Sequence, residues 1–423
     1  MKKILFSLIM VAILLLAACG GKTASTAGGK TELSFMMWGD PAELTVWNQI
    51  VADFQAANPN IAVKVEVSDW DSYWTKLKTL LAAKTPPDMF AIDAPLYLDY
   101  QSKGTLLNLQ PYIDANPGML DGLFPQTLQA YQTPQGYFGL PRDFQTIVLF
   151  YNKTMFDKAG MAYPTADWTW DDLRAAAKKL TLIGSDGKIT QYGFSFDMWD
   201  MEPGYSEAIW SYGGDMLSAD HTKTLLGDPA ARQAWQLLYD MTFVDKSVPD
   251  SNTSGQYGGD TFLAGVSAMT PLGHWVVPGY ADAKLNFDAA PMPKGPAGRF
   301  TSVNSAGFVI AQGTKHPAES FSFLKFVLSK AGQTRLAELG FACPVLKSIA
   351  ESPTFLNQKI AINQQVFLDA LQYAKIKPVF KGYDEWASAV GDGMAPVWRG
   401  EADLNKTLDE VVVSADAVLA KNK

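Results

Sequence analysis

The sequence predicts an α/β protein of two lobes, with sheets covered by helices. Three observations predict it. Strand-like and helix-like stretches alternate from residue 33 to residue 92, an order that builds a largely parallel sheet with helices on its faces. The chain has 423 residues, and single cores stop growing at about 250–300 residues. Hydrophobic residues make up 48% and charged residues 18%, the balance of a folded globular chain.

The elements follow in order. Leu33-Ser-Phe-Met-Met-Trp38 reads as a strand ending at Gly39-Asp40. Pro41 opens a helix in which Leu44, Trp47, Val51 and Phe54 recur at spacings of three and four. Asn58-Pro59-Asn60 breaks it. Ile61, Val63, Val65 and Val67 alternate with other residues, the period of a strand. A helix over about 72–84 and a short strand, Met89-Phe-Ala-Ile92, complete the unit. Ligands bind beyond the carboxyl ends of strands in such sheets. Trp38-Gly-Asp40 and Asp93-Ala-Pro95 both stand at those ends.

Gly139-Leu-Pro141 precedes a buried-looking strand, Ile147–Asn152, and Pro141 marks a break between units. Thr169 with Asp172 three residues on is a capping box. Asp228-Pro229 starts a helix with Trp235, Leu238 and Tyr239 on its apolar face, and Pro317 fits the first turn of another.

The N-terminus carries a separate message. Lys2 and Lys3 precede an apolar run, Ile4–Ala18, that is shorter than the roughly 20 residues of a helical span. A charged start, an apolar run and small residues describe an export signal over residues 1–18. Leu16-Ala17-Ala18-Cys19 resembles the bacterial lipobox, which implies diacylglyceryl transfer to Cys19 and cleavage before it. Two acyl chains anchor stably where one does not. Residues 19–30 are small and polar and read as a flexible tether. An extracytoplasmic location on the bacterial cell membrane follows. With Cys19 lipidated only Cys343 remains, which excludes an intrachain disulfide. A small buried residue is the expected state of Cys343.

Charge and motifs narrow the function. The formal charge is −8 with no basic stripe, which argues against nucleic acid. The three histidines, His221, His274 and His316, are widely spaced. No His-Glu-x-x-His, Cys-x-x-Cys, phosphate loop or Gly-x-Ser-x-Gly occurs, so neither metal, cofactor nor triad chemistry is expected. His316 reads as a helix-start residue, and His274 as structural or pocket-lining. Asp197, Asp200 and Glu202 cluster. They read as solvated acids or as acceptors for ligand hydroxyls, ahead of a catalytic pair, whose separation sequence spacing does not establish.

Among 12 tryptophans, Trp47 and Trp235 fall on helix faces and read as core. Trp38, Trp199, Trp210, Trp275 and Trp386 fall near strand ends, glycines or expected loops. A tryptophan beside an acid offers a flat apolar face and an acceptor, which suits the CH face and hydroxyl rim of a pyranose. For any one of them burial is an equal alternative.

A series of short matches adds to this reading. They are Trp38-Gly-Asp40, Pro87-Asp-Met-Phe90 leading to Asp93, Gly139-Leu-Pro141, and Phe150-Tyr-Asn-Lys153. Tyr212-Gly-Gly-Asp215, Phe262-Leu-Ala-Gly265, Ala268-Met269, Gly273-His-Trp275, Ala290-Pro-Met-Pro293, Ser305-Ala-Gly307 and Glu385-Trp-Ala387 follow. In this order and spacing the chain resembles the extracellular solute-binding lipoproteins that feed ABC importers, in their maltose-binding-protein-like branch. The resemblance covers nearly all of the chain after Cys19.

That resemblance implies a two-lobed, periplasmic-binding-protein-like fold with crossover hinges and a ligand cleft between lobes. The first lobe is expected at 31–143 and 286–340, the second at 144–285 and 341–423, with crossovers near Asp143, Phe287 and Phe341. It implies hydroxyl acceptors at Asp40 and Asp93, and stacking at Trp275 and Trp386. Gln145 stands where many relatives place an acid, with Asp143 the alternative for that part. Glu202 and Tyr205 fall in a ligand-contacting stretch. Trp38 and Trp210 join the expected site from the strand-end and loop argument alone. Arg142 either donates to ligand oxygens or pairs with a neighbouring acid. The expected function is a monomeric, non-enzymatic receptor that delivers a carbohydrate to an ABC importer. A receptor for a non-sugar solute, such as a polyol or glycerol phosphate, is the alternative, and an anchored glycoside hydrolase ranks below both.

Overall fold

The computed structural model describes residues 29–422. The export signal, Cys19 and nearly all of the tether lie outside the described residues. Among the described residues no helix is long and apolar enough to cross a membrane.

The opening unit forms as its sequence dictates. Strand β1 (Thr31–Trp38) leads into helix α1 (Pro41–Ala57), which buries Trp47, Ile50, Val51 and Phe54. Asp40 and Glu43 close a capping box at the start of α1. β2 (Ile61–Ser68), α2 (Trp70–Ala82) and β3 (Met89–Asp93) follow. β1 lies parallel to both β2 and β3, so all three carboxyl ends reach one edge.

The rest of the first sheet is antiparallel. Its order is β2-β1-β3-β10-β4, where β4 is Gly139–Pro141 and β10 is Ala306–Ile310. β10 runs antiparallel to β3 and to β4. The sheet is therefore mixed rather than largely parallel. The two added strands come from elsewhere in the chain, beyond the reach of the local β-α-β order.

Between β4 and β10 the chain builds the second sheet. β5 (Gln145–Thr146) leads to β6 (Val148–Asn152), which is flanked antiparallel by β7 (Met269–Leu272) and β8 (Phe287–Ala290). Helices α3 (Trp170–Leu180) and α4 (Pro229–Tyr239) start at their expected caps. A third small sheet, β5-β9-β11, joins Gln145–Thr146, Thr301–Asn304 and Ala374–Ile376. It brings three distant segments together beside the edge where β1 and β3 end.

Two expected crossovers differ from the strand pairing. β8 starts at Phe287 and pairs with β6, so the chain returns to the first sheet only between β9 and β10. The segment after Phe341 pairs Leu346 with Leu123, and its short helices pack on α6 (Lys330–Glu338), which follows α5 (Pro317–Leu328). Only its first part, through Leu356, stays with these helices; beyond it Gln364 bonds His274 and Phe367 packs on Phe150 of β6. α7 (Tyr383–Trp398) and α8 (Leu404–Lys421) then pack together. These pairings join residues far apart in the chain, and no local pattern marks them.

Candidate functional site

A cavity of about 680 Å³ opens where the strand ends meet the third sheet. That volume is in the range of small-molecule sites, about 300–1,000 Å³.

The first lobe supplies an aromatic wall. Trp38 ends β1 and stacks on Trp74 at 5.6 Å, with Trp70 edge-on at 5.0 Å. Trp70 stands in the first turn of α2, is partly exposed, and lines the cavity. Gly39 has φ +152°, and a Cβ there would lie 2.1 Å from Glu43 Oε2. This close approach lets the Glu43 carboxylate reach back to the Asp40 N–H. Asp40 lines the cavity but also caps α1, accepting from the Glu43 N–H at 2.8 Å.

Arg142 lies beneath this wall. Its guanidinium is 5.4 Å from the Trp38 ring, 5.3 Å from Trp47, 5.5 Å from Phe308 and 5.4 Å from Phe341. Its Nε stands 3.0 Å from Asp143 Oδ2, and both side chains are buried. Burial pushes the Asp143 carboxyl up, and the Arg142 charge opposes this. Burial also lifts Glu43 to about 7, again against Arg142.

The floor is ionic. Asp93 ends β3, is buried, and accepts from Asn304 Nδ2 at 2.7 Å. Lys377 follows β11 and places Nζ 3.4 Å from Asp200 and 3.8 Å from Glu202. Burial pushes the Asp93 and Glu202 carboxyls up, while Lys377 pulls both down. Burial disfavours the Lys377 charge, but its acidic neighbours outweigh it and hold the ammonium.

The opposite wall carries Trp199 and Trp275. Asp197 accepts from the N–H groups of Trp199 and Asp200, which shapes the loop. The Trp199 indole lies against Gly391 of α7 and donates to Asp392 at 2.9 Å. The Trp275 ring crosses Gly273, where a Cβ would lie 1.9 Å from Trp275 Cζ3.

The expected residues divide cleanly. Trp38, Asp40, Asp93, Gln145, Glu202 and Trp275 line this one cavity. Four others do not. Trp386 is fully buried, packs on Phe380 and Tyr383, and donates to Thr224. Trp210 is buried in the helix Ser206–Ser211 and donates to Asp215. Tyr205 packs on Trp235 at 4.4 Å. Asp143 is occupied by Arg142 behind the wall. Each is spent on the core.

Trp70, Asp71, Glu43, Asn304 and Lys377 line the cavity without having been expected there. Trp70 and Asp71 had a signal: they follow β2, which is parallel to β1 and ends at the same edge. Asn304 and Lys377 had none. His274 is buried and bonded, and His316 starts α5. Among the described residues no group of three or more His, Cys, Asp or Glu side chains could hold a metal ion.

Comparison with known proteins identifies the family. The profile of the family described as bacterial extracellular solute-binding protein matches residues 38–334. A putative binding protein of Brucella abortus is 27% identical over 384 residues, 89% of this chain and 90% of its own. The galactooligosaccharide-binding protein of Bacillus subtilis is 22% identical over 97% of this chain and 95% of its own. An ABC substrate-binding protein of Listeria monocytogenes, solved in complex with cycloalternan, is 26% identical. It superposes with a TM-score of 0.84 over 93% of this chain and 99% of its own.

Proposed function

This chain belongs to the family of bacterial extracellular solute-binding proteins, and from that premise we propose that it captures a carbohydrate in the cavity between its lobes and delivers it to an ABC importer. One observation carries the reading. The cavity is lined by Trp38, Trp70, Trp199 and Trp275 together with carboxylates and amides. Indole faces cover the CH face of a sugar ring. Asp40, Asp71, Asp93 and Glu202 accept from its hydroxyls, and Asn304 and Gln145 supply amides. The names of the Bacillus subtilis and Listeria monocytogenes relatives point to the same ligand class.

The mechanism is capture and closure. Both lobes contribute to the cavity, so a bound sugar has more partners when they are together. Ligand shifts the open–closed balance by its preference for the closed form. The segments that turn about one another are those of the third sheet, at 142–147, 301–306 and 374–377. Closure then presents both lobe surfaces to the transporter.

The binding reading requires no catalysis. Asp93 accepts from Asn304, and Asp200 and Glu202 share Lys377; a carboxylate has lone pairs left over for ligand hydroxyls. Cys19 is the proposed lipid attachment: its sulfur carries the diacylglyceryl group that holds a monomer at the membrane, and cleavage of the peptide bond before it removes the export signal. A phosphorylated solute is less well served, because the acids lining the cavity outnumber its cations, Arg142 and Lys377.

Calorimetric titration with neutral oligosaccharides tests the proposal. Saturable heat that disappears in Trp275→Ala supports it. Release of reducing ends by the purified protein would instead make it a hydrolase.

A further inference from the structure

His274 stands one residue before Trp275 and faces the other way, into the protein. Its ring is fully buried, with the Phe367 ring at 4.9 Å and Phe355 at 5.4 Å. Its Nε2 lies 2.8 Å from Gln364 Oε1. Gln364 Nε2 donates to Gln358 Oε1 at 3.1 Å, and Gln358 Nε2 donates to the Ala337 carbonyl at 2.8 Å.

The direction of this chain is fixed at its far end. A backbone carbonyl only accepts, so Gln358 must turn its amide nitrogen to Ala337 and its oxygen to Gln364. Gln364 must then offer its own oxygen to His274. The ring therefore carries its proton on Nε2. Burial pushes its pKa down to about 4, which keeps it neutral. The Phe341 carbonyl lies 3.4 Å from Nδ1, too far to compete on equal terms.

The backbone N–H of the anchored His274 points at Gln145, 3.1 Å from Oε1. An N–H only donates, so it accepts no nitrogen in that place. Gln145 is thereby held with its oxygen inward. Its Nε2 has no protein hydrogen-bond partner among the described residues, and Gln145 lines the cavity.

We propose that His274 is a positioning residue, which locks the Gln145 amide so that its nitrogen faces the cleft as a donor to a ligand oxygen. The proposal rests on the carbohydrate reading for its ligand and on the hydrogen-bond chain for its geometry. It gives the cleft a neutral donor between carboxylates that only accept, and so a means to recognise an ether or ring oxygen.

Two arms of the test need no ligand. Long-range proton–nitrogen spectra of histidine-labelled protein report the tautomer, with His274 assigned by its loss in His274→Gln. A neutral Nε2–H ring at pH 7 is expected; an Nδ1–H ring or an imidazolium overturns the proposal. Gln145→Leu leaves the His274 N–H unpartnered and lowers the thermal midpoint, whereas Gln145→Glu retains an acceptor and does not. Equal loss in both overturns the inward oxygen.

The third arm titrates maltotriose and mannotriose. Gln145→Glu keeps the inward acceptor and loses the donor, and weakens binding about five- to tenfold, the worth of one hydrogen bond. Unchanged or tighter binding overturns the donor role. His274→Gln, whose amide reaches the Nε2 position, restores binding that His274→Leu loses. If neither sugar binds wild type, the carbohydrate reading fails while the tautomer and stability arms still decide the positioning.

Discussion

Lys377 Nζ stands 3.8 Å from a carboxylate oxygen of Glu202, with both side chains buried at the floor of the cavity. The two come from segments far apart in the chain, Met201–Tyr205 and the stretch after Ala374–Ile376. Asp200 shares the same ammonium at 3.4 Å. Removing one partner of a buried ion pair leaves the other charge uncompensated, at a cost of about 3–5 kcal/mol. Lys377→Met is therefore expected to lower unfolding free energy by about that amount. Urea unfolding of the variant checks it; a change of a few tenths of a kcal/mol would show that the cluster is not a structural unit.

Trp275 and Trp386 separate binding from folding. Trp275 reaches the cavity, while Trp386 is fully buried in α7. Trp275→Ala is expected to weaken oligosaccharide binding by about 2 kcal/mol, some 30-fold, with the fold retained. Trp386→Ala is expected to cost about 3–5 kcal/mol of stability through the cavity it leaves. Calorimetry and denaturant unfolding on the same pair of variants distinguish the two roles, and a reversed pattern would move the site.

Gly391 offers a sharper probe of Trp199. A Cβ at Gly391 would lie 2.6 Å from Trp199 Nε1, so Gly391→Ala displaces the indole. The same change favours helix α7 by about 1 kcal/mol. Weaker sugar binding in a protein no less stable is the expected outcome, read by titration and thermal unfolding. Binding equal to wild type would remove Trp199 from the ligand wall.

Two groups, Glu43 at the cavity wall and the buried His274, set opposite pH slopes. Glu43 is lifted from 4.5 to about 7 by burial, against Arg142 and with Asp40 and Asp143 adding to the rise. A carboxyl that holds its proton more tightly when folded gives stability that is full below pH 4.5 and lost as pH rises through about 7. His274 is pushed from 6.5 to about 4. Its contribution is full above pH 6.5 and is lost as pH falls toward 4. Glu43→Gln is expected to flatten the loss of thermal midpoint on the alkaline side, and His274→Gln the loss on the acid side. Midpoint-against-pH curves unchanged in either variant would contradict the assignment.

How far the sequence spoke depends on the distance between partners. β1, α1, β2, α2 and β3 follow from local period and capping, and their order places Trp38, Asp40 and Asp93 at one edge. Trp70 and Asp71 follow from the same rule applied to β2. Trp386 was legible as core, because Tyr383, Trp386, Val390, Met394 and Val397 bury one face of α7 at helical spacing. Trp210 was harder: its helix is short, and its indole partner Asp215 lies in the loop beyond. Lys377 and Asn304 reach the cavity only because β11 pairs with β9. β8 joins the second sheet because it pairs with β6 across more than a hundred intervening residues. Nothing local in the sequence encodes either pairing.

The most direct measurement is a thermal-shift titration of residues 19–423 against neutral oligosaccharides, hexoses, polyols and glycerol phosphates. A ligand that binds the native state raises apparent stability by mass action. A carbohydrate receptor gives a large, saturable rise with a neutral carbohydrate, lost in the Trp38→Ala, Trp275→Ala double variant. A rise confined to phosphorylated or non-sugar solutes, or one that survives in the double variant, would contradict that reading.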